Sequence, residues 1–183
     1  MPVKMSKLLR RRFALLLIAA FSMGALHVRV TFAENRLPPG LIALKPRPAP
    51  ALHLANMDGK VFDLRDLRGH WVMVHFWATW CAPCRREMPT IQAMQEKLVP
   101  KYLRLLVVNT SETDDDVFLF LGGIGSELNP LMDRDGTVTD RWQPRGLPST
   151  YLVDPRGRLR YLALGGRRWD SEAYLHFLTH LPR

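Results

Sequence analysis

Cysteine is scarce: the 183 residues hold only two, Cys81 and Cys84. That excludes a disulfide-stapled miniature fold and a zinc site built from four cysteines. Histidine is thin as well, six residues with no cluster, so a metal centre using the two cysteines would lack its remaining ligands. Covalent haem attachment needs a histidine directly after the second cysteine, and Arg85 stands there. No apolar run reaches the ~20 residues of a comfortable bilayer span, and no internal repeat is present. Acid is missing from one region: residues 1–33 contain none of the 17 Asp/Glu but six of the 26 Lys/Arg. The formal net charge of +9 therefore sits largely at the N-terminus. With that segment set aside, little supports nucleic-acid binding.

What the N-terminus does contain is an export pattern. Basic residues from Lys4 to Arg12 lead into Phe13–Leu26, which is uncharged and apolar, the length of a signal peptide's hydrophobic region. Thr31-Phe32-Ala33 places small residues where a signal peptidase reads, so residues 1–33 are expected to be cleaved after Ala33. The alternative is an uncleaved membrane anchor from Phe13 to about Val30. His27 and Arg29 argue against it, because a charge at the centre of an apolar span costs ~2.5–3.5 kcal/mol. Arg10-Arg11-Arg12-Phe13 also has the look of a twin-arginine signal. Outside the cytoplasm a disulfide can persist, so two nearby cysteines can cycle between dithiol and disulfide.

Residues 34–51 carry Pro38, Pro39, Pro46, Pro48 and Pro50, five of the fourteen prolines. Proline favours extended chain and cannot join a helix interior or a central strand. The segment is expected to be a linker, with an arm packed over the domain as the alternative, and the folded domain is expected over 52–183. Within it, Asp58-Gly59 between short apolar runs predicts a hairpin over Leu52–Leu64. Trp71–Trp77 is a short, aromatic and β-branched run, a strand buried on both faces. Met88, Ile91, Met94 and Leu98 form a helical stripe with Pro89 inside it, where a kink is expected. Tyr102–Asn109 predicts the next strand, and Thr113 before three aspartates predicts a helix start. Asp135-Gly136 reads as a turn, Ser149–Val153 and Arg158–Leu164 as strands, and Ser171–Leu181 as a closing helix. This order implies an α/β fold, a mixed sheet with helices on both faces.

The chemistry concentrates in Trp80-Cys81-Ala82-Pro83-Cys84, between a buried strand and a helix. Residues three apart in a helical turn sit ~5–6 Å apart at Cβ, so a small adjustment opens or closes a disulfide. At a helix N-terminus, free N–H groups and the dipole stabilise a thiolate. In such motifs the pKa falls from ~8.5 to between ~3.5 and ~7. Cys81 is thus the candidate nucleophile, and Cys84, one turn deeper, the thiol that resolves the mixed disulfide. Pro83 suits the first turn, where its missing N–H would have no partner. A static disulfide is the competing reading, although so short a loop restrains little chain entropy.

With these residues in view, Phe76–Pro89 (FWATWCAPCRREMP) resembles the thioredoxin superfamily and, more narrowly, the exported TlpA/ResA-type thiol–disulfide oxidoreductases. The resemblance runs from about Leu52 to the C-terminus. It implies a thioredoxin-like mixed sheet flanked by helices, with an N-terminal β-hairpin extension and a helical insert between Asn109 and Pro130. It also implies that Gly146-Leu147-Pro148-Ser149-Thr150 is a cis-proline loop facing the cysteines. There the Leu147 backbone would pair with an extended substrate chain, and Trp80, Pro83 and Pro148 would shape the docking surface. Glu87 falls where ResA-like proteins hold an active-site glutamate, implying proton exchange with Cys84. Its other reading is one charge on a solvated helix face. His75 departs from the family, which usually has a neutral polar residue there. It is either a proton relay, a positive charge favouring thiolate, or a neutral buried histidine.

The expected activity is that of a periplasmic enzyme reducing disulfides of exported proteins, with cytochrome c and copper-centre maturation as implied settings. Electrons would come from a membrane thiol reductant, and no cofactor or metal is required beyond the Cys81–Cys84 pair. Two alternatives stay open: a dithiol oxidase of the same fold, and a thiol-based copper-binding or chaperone protein. A peroxidase reading is weaker, because no Pro-x3-Thr-x2-Cys pattern precedes Cys81.

Overall fold

The computed structural model describes residues 37–182. The expected signal segment, 1–33, lies outside them. The strands are β1 (Leu41–Pro48), β2 (His53–Ala55), β3 (Val61–Asp63), β4 (Val72–Trp77), β5 (Arg104–Thr110), β6 (Leu131–Asp133), β7 (Ser149–Val153) and β8 (Arg158–Leu164). The helices are α1 (Ala82–Leu98), α2 (Asp114–Gly123), α3 (Thr137–Trp142) and α4 (Glu172–Thr179). Six strands form one sheet in the order β1-β8-β7-β4-β5-β6. β4 runs parallel to β5 and antiparallel to β7, so the sheet is mixed. β2 and β3 make a separate hairpin, and α2 occupies the expected insert.

Every residue of β4 is buried, as a central strand covered on both faces requires. Alternation divides its side chains. Val72, Val74 and Phe76 join Leu106, Val108, Trp142 and Tyr151 on one face. Met73 and Trp77 join Met88, Ile91, Met94 and Trp169 under α1 on the other. Each such side chain contributes roughly 1.5–3 kcal/mol on burial. His75 has the parity of Met73 and Trp77, so its ring enters the α1 face.

The proline-rich segment is the principal correction. It is no linker: residues 41–48 form β1, paired antiparallel with β8, and the folded unit begins at Leu37 rather than at 52. Proline is compatible with this because β1 is an edge strand with one ladder to satisfy. Its register shifts between Ala43 and Arg47, around Pro46. Leu41 is buried at its start, and the Tyr174 hydroxyl donates to the Pro39 carbonyl (3.0 Å). A second difference is α3, six residues where the sequence suggests only a turn. The buried Asp133 carboxylate accepts the N–H groups of Val138 (3.1 Å) and Thr139 (2.6 Å), holding the start of this helix from the preceding strand. α1, finally, continues through Pro89 as one helix.

Candidate active site

β4 ends at Trp77, and the chain turns through Ala78–Trp80 into α1. Cys81 is the N-cap of α1 in extended conformation, and its carbonyl accepts the Arg85 N–H (3.1 Å). Its Sγ accepts the Cys84 N–H at 3.3 Å, the place a capping oxygen ordinarily takes. A disulfide joins Cys81 to Cys84 across a Cα separation of 5.2 Å. Cys81 keeps 5% exposure and Cys84 none, so the two sulfurs are unequal in access. Trp80 beside them is 68% exposed. The Leu147–Pro148 bond is cis, and Ser149 directly after it pairs with Phe76. The proline loop and the redox loop therefore leave the same end of adjacent strands.

The turn before Cys81 is held by a residue that the sequence reading passed over. The Glu112 carboxylate accepts the Thr79 N–H (2.7 Å), the Thr79 hydroxyl and the Asn109 amide (2.7 Å). Glu112 stands beside the α2 cap, where local sequence suggests an ordinary exposed acid; only the fold brings it across to Thr79.

Glu87 points inward. It is 3% exposed and lies one turn after Cys84 on the same helix. Oε2 accepts the Arg167 N–H (2.8 Å) and the indole N–H of Trp169 (3.1 Å). Oε1 faces His75 Nε2 at 3.4 Å, longer than a well-formed hydrogen bond, and neither atom has another partner. The solvated-face reading thus fits Arg85 and Arg86, which are exposed, and not Glu87. Burial pushes the Glu87 carboxyl up to about 7 against the pull of its two N–H donors and the Arg167 charge. His75, fully buried, is pushed down to about 3 by loss of water, which favours the neutral ring over the positive charge. Its Nδ1 lies 2.8 Å from Thr150 Oγ1. Thr90 ties the same region together, its hydroxyl donating to the Glu87 carbonyl (2.7 Å) and accepting the Trp169 N–H (3.2 Å). Arg167, Trp169 and Thr90 had no local signal, because their partners lie about eighty residues apart in the chain.

Among the described residues no group of three or more His, Cys, Asp or Glu side chains is arranged to hold a metal ion. The arrangement suits thiol–disulfide exchange: a capped sulfur near the surface, a sealed partner sulfur, and a buried acid of near-neutral pKa one turn away.

Comparison with known proteins agrees with this geometry. Residues 46–162 match the model of the AhpC/TSA family. Thiol-disulfide oxidoreductase ResA of Bacillus subtilis is 29% identical over 133 residues, covering 73% of this chain and 73% of the relative. The ResA of Geobacillus thermodenitrificans is 32% identical over 117 residues, covering 64% and 67%. Among solved structures, a thiol:disulfide interchange protein DsbE from Chlorobium tepidum superposes with a TM-score of 0.63 at 31% identity, covering 72% of this chain and 93% of that one. An exposed lipoprotein thioredoxin of Streptococcus pneumoniae gives 0.61 at 26% identity, covering 72% and 99%.

Proposed function

The chain is a thiol–disulfide oxidoreductase of the thioredoxin-like AhpC/TSA family, and from that premise we propose that it works in the periplasm as a reductase of exported proteins. The observation that carries the reading is the disulfide closed across the first turn of α1, one sulfur at the helix cap and the other sealed in the core.

In the reduced protein, the Cys81 thiolate is stabilised by the free N–H groups of the helix start. It attacks a client disulfide; the client S–S bond breaks, and one client sulfur leaves with the electron pair and takes up a proton. The Cys84 thiol then loses its proton to the Glu87 carboxylate and attacks Cys81 Sγ. The second client sulfur departs, and the Cys81–Cys84 disulfide forms. Two electrons pass to the client, and a membrane thiol reductant restores the dithiol by the reverse exchange. The exposed Trp80 ring, Pro83 and the Leu147–Pro148 loop seat the extended client segment, whose backbone pairs with that of Leu147.

Export rests on the basic and apolar segment at residues 1–33 and on the likeness to an exposed lipoprotein thioredoxin. The likeness to ResA extends the proposal to clients in cytochrome c or copper-centre assembly. Peroxide reduction is disfavoured within the family because Val74 and Ala78 stand where a peroxidase pattern would place its Pro and Thr.

The test is reduction of insulin by dithiothreitol. The protein is expected to accelerate precipitation, and Cys81→Ser to abolish the acceleration. A wild-type rate equal to that of Cys81→Ser overturns the reductase reading.

A further inference from the structure

His75 sits in mid-β4 with Thr150 of β7 on one flank and Val107 of β5 on the other. Thr150, His75 and Glu87 form a line across the sheet into α1: Oγ1 to Nδ1 at 2.8 Å, then Nε2 to Oε1 at 3.4 Å. Nε2 and Oε1 have no partner other than each other. A buried polar atom without a partner is costly, so the pair closes whenever one of the two carries a hydrogen and the other does not.

Two proton arrangements achieve this with a neutral ring. When Glu87 is a carboxylate, Nε2–H donates to Oε1 and the Thr150 hydroxyl donates to Nδ1. When Glu87 is an acid, its O–H donates to Nε2, and Nδ1–H donates to Thr150 Oγ1. The second state holds one proton more than the first. A ring with two nitrogens passes between them by giving up a proton at one nitrogen and taking one from water at the other.

We propose that His75 is a positioning residue that switches tautomer with the protonation of Glu87, donating to the carboxylate and accepting from the acid. The proposal rests on the reading above that Glu87 exchanges a proton with Cys84. In that step the Cys84 thiol proton moves to Glu87 and sulfur keeps the electron pair; the ring then exchanges its hydrogen with water, one proton leaving Nε2 and one arriving at Nδ1, and ends neutral. The proton leaves Glu87 to water through a cleft of about 290 Å³ lined by Pro83, Arg86, Glu87, Gly166, Arg167 and Arg168.

The charged and titratable groups around the pair come from several elements. α1 contributes Cys84 and Arg86. The loop after β8 contributes Arg167, whose guanidinium donates to the Leu164 carbonyl (2.6 Å), and Arg168, paired with Asp170 (3.0 Å). α4 contributes Tyr174, its ring 4.7 Å from that of Trp169. β7 and β5 bring only Thr150 and Val107. Burial disfavours charge on both members, which keeps the imidazole neutral and sets the Glu87 titration close to neutral pH.

The experiment is nitrogen NMR of the full chain, oxidised and labelled in histidine, across the titration of Glu87. The expected result is that His75 Nε2 passes from a bare to a protonated nitrogen as pH rises, while Nδ1 does the reverse. A single tautomer throughout, or an imidazolium signal, overturns the proposal. In Glu87→Gln the switch disappears; its persistence overturns the proposal equally. His75→Leu removes the donor to the carboxylate and moves the pH profile of Cys84 thiol reactivity about one unit alkaline. His75→Asn, which offers an amide N–H, recovers part of that shift. An unmoved profile in His75→Leu also counts against the switch. Insulin reduction unaffected by Cys81→Ser would defeat the functional reading while leaving the His75 spectra to judge the switch.

Discussion

Glu87 and the two cysteines carry different amounts of information in the chain. Cys81 and Cys84 share a helical turn, so spacing alone indicates their proximity and their different depth. Glu87 is also local to them, but its burial depends on Arg167 and Trp169 about eighty residues later, and its facing His75 depends on the crossing of α1 over β4. Nothing in Arg85-Arg86-Glu87 shows which of the three turns inward. Burial lifts the Glu87 carboxyl to about 7, the range that the proposed acceptance and return of a proton requires near neutral pH. Glu87→Gln is expected to slow resolution of the mixed disulfide by about a hundredfold at neutral pH, a normal scale for proton transfer by a positioned side chain. It should also flatten the rate profile around pH 7. Stopped-flow measurement of client thiol release checks this; a rate within about twofold of wild type contradicts a role in proton transfer.

At the level of elements, β4, β5, β7 and β8 were legible because each is a short apolar run bounded by turn residues, and β7 and β8 match their expected limits residue for residue, whereas the three residues of β6 are too few to form such a run. β1 was not legible, since its prolines argue against a strand and its pairing partner, β8, lies more than a hundred residues downstream. Proline at an edge removes an N–H that no neighbour needs, so composition misleads where topology decides. α3 was missed for a related reason: the carboxylate that holds its start is Asp133 of the preceding strand, while its own cap residue, Gly136, has no side chain to announce it. The status of β1 as part of the domain has a measurable consequence. Leu41→Ala empties a buried position at the sheet edge and is expected to cost about 2–3 kcal/mol, seen as a lower urea midpoint with unchanged slope. A variant as stable as wild type would return residues 34–51 to the standing of a tether.

For the molecule as a whole, His75 and Glu87 act on stability with opposite sign. The Glu87 carboxyl rises from 4.5 to about 7 on folding. The native state therefore binds more protons across that interval, and stability falls as pH increases through it. The His75 ring drops from 6.5 to about 3, so the unfolded chain binds more protons there and stability grows with pH. Each slope reaches at most about 1.4 kcal/mol per pH unit, and they oppose each other where the intervals overlap, from 4.5 to 6.5. Urea unfolding over that overlap should give a steeper rise with pH for Glu87→Gln than for wild type, and a decline relative to wild type for His75→Asn. Identical pH dependence in all three proteins contradicts the burial of a neutral pair.

The central claim, that Cys81 and Cys84 exchange electrons reversibly with exported proteins, is tested most directly by trapping. The full chain carrying Cys84→Ser, produced in its native host, cannot resolve the mixed disulfide. The account predicts exported proteins linked through Cys81, released by dithiothreitol and absent when Cys81→Ser is added. No adduct, or one that survives the loss of Cys81, would contradict it.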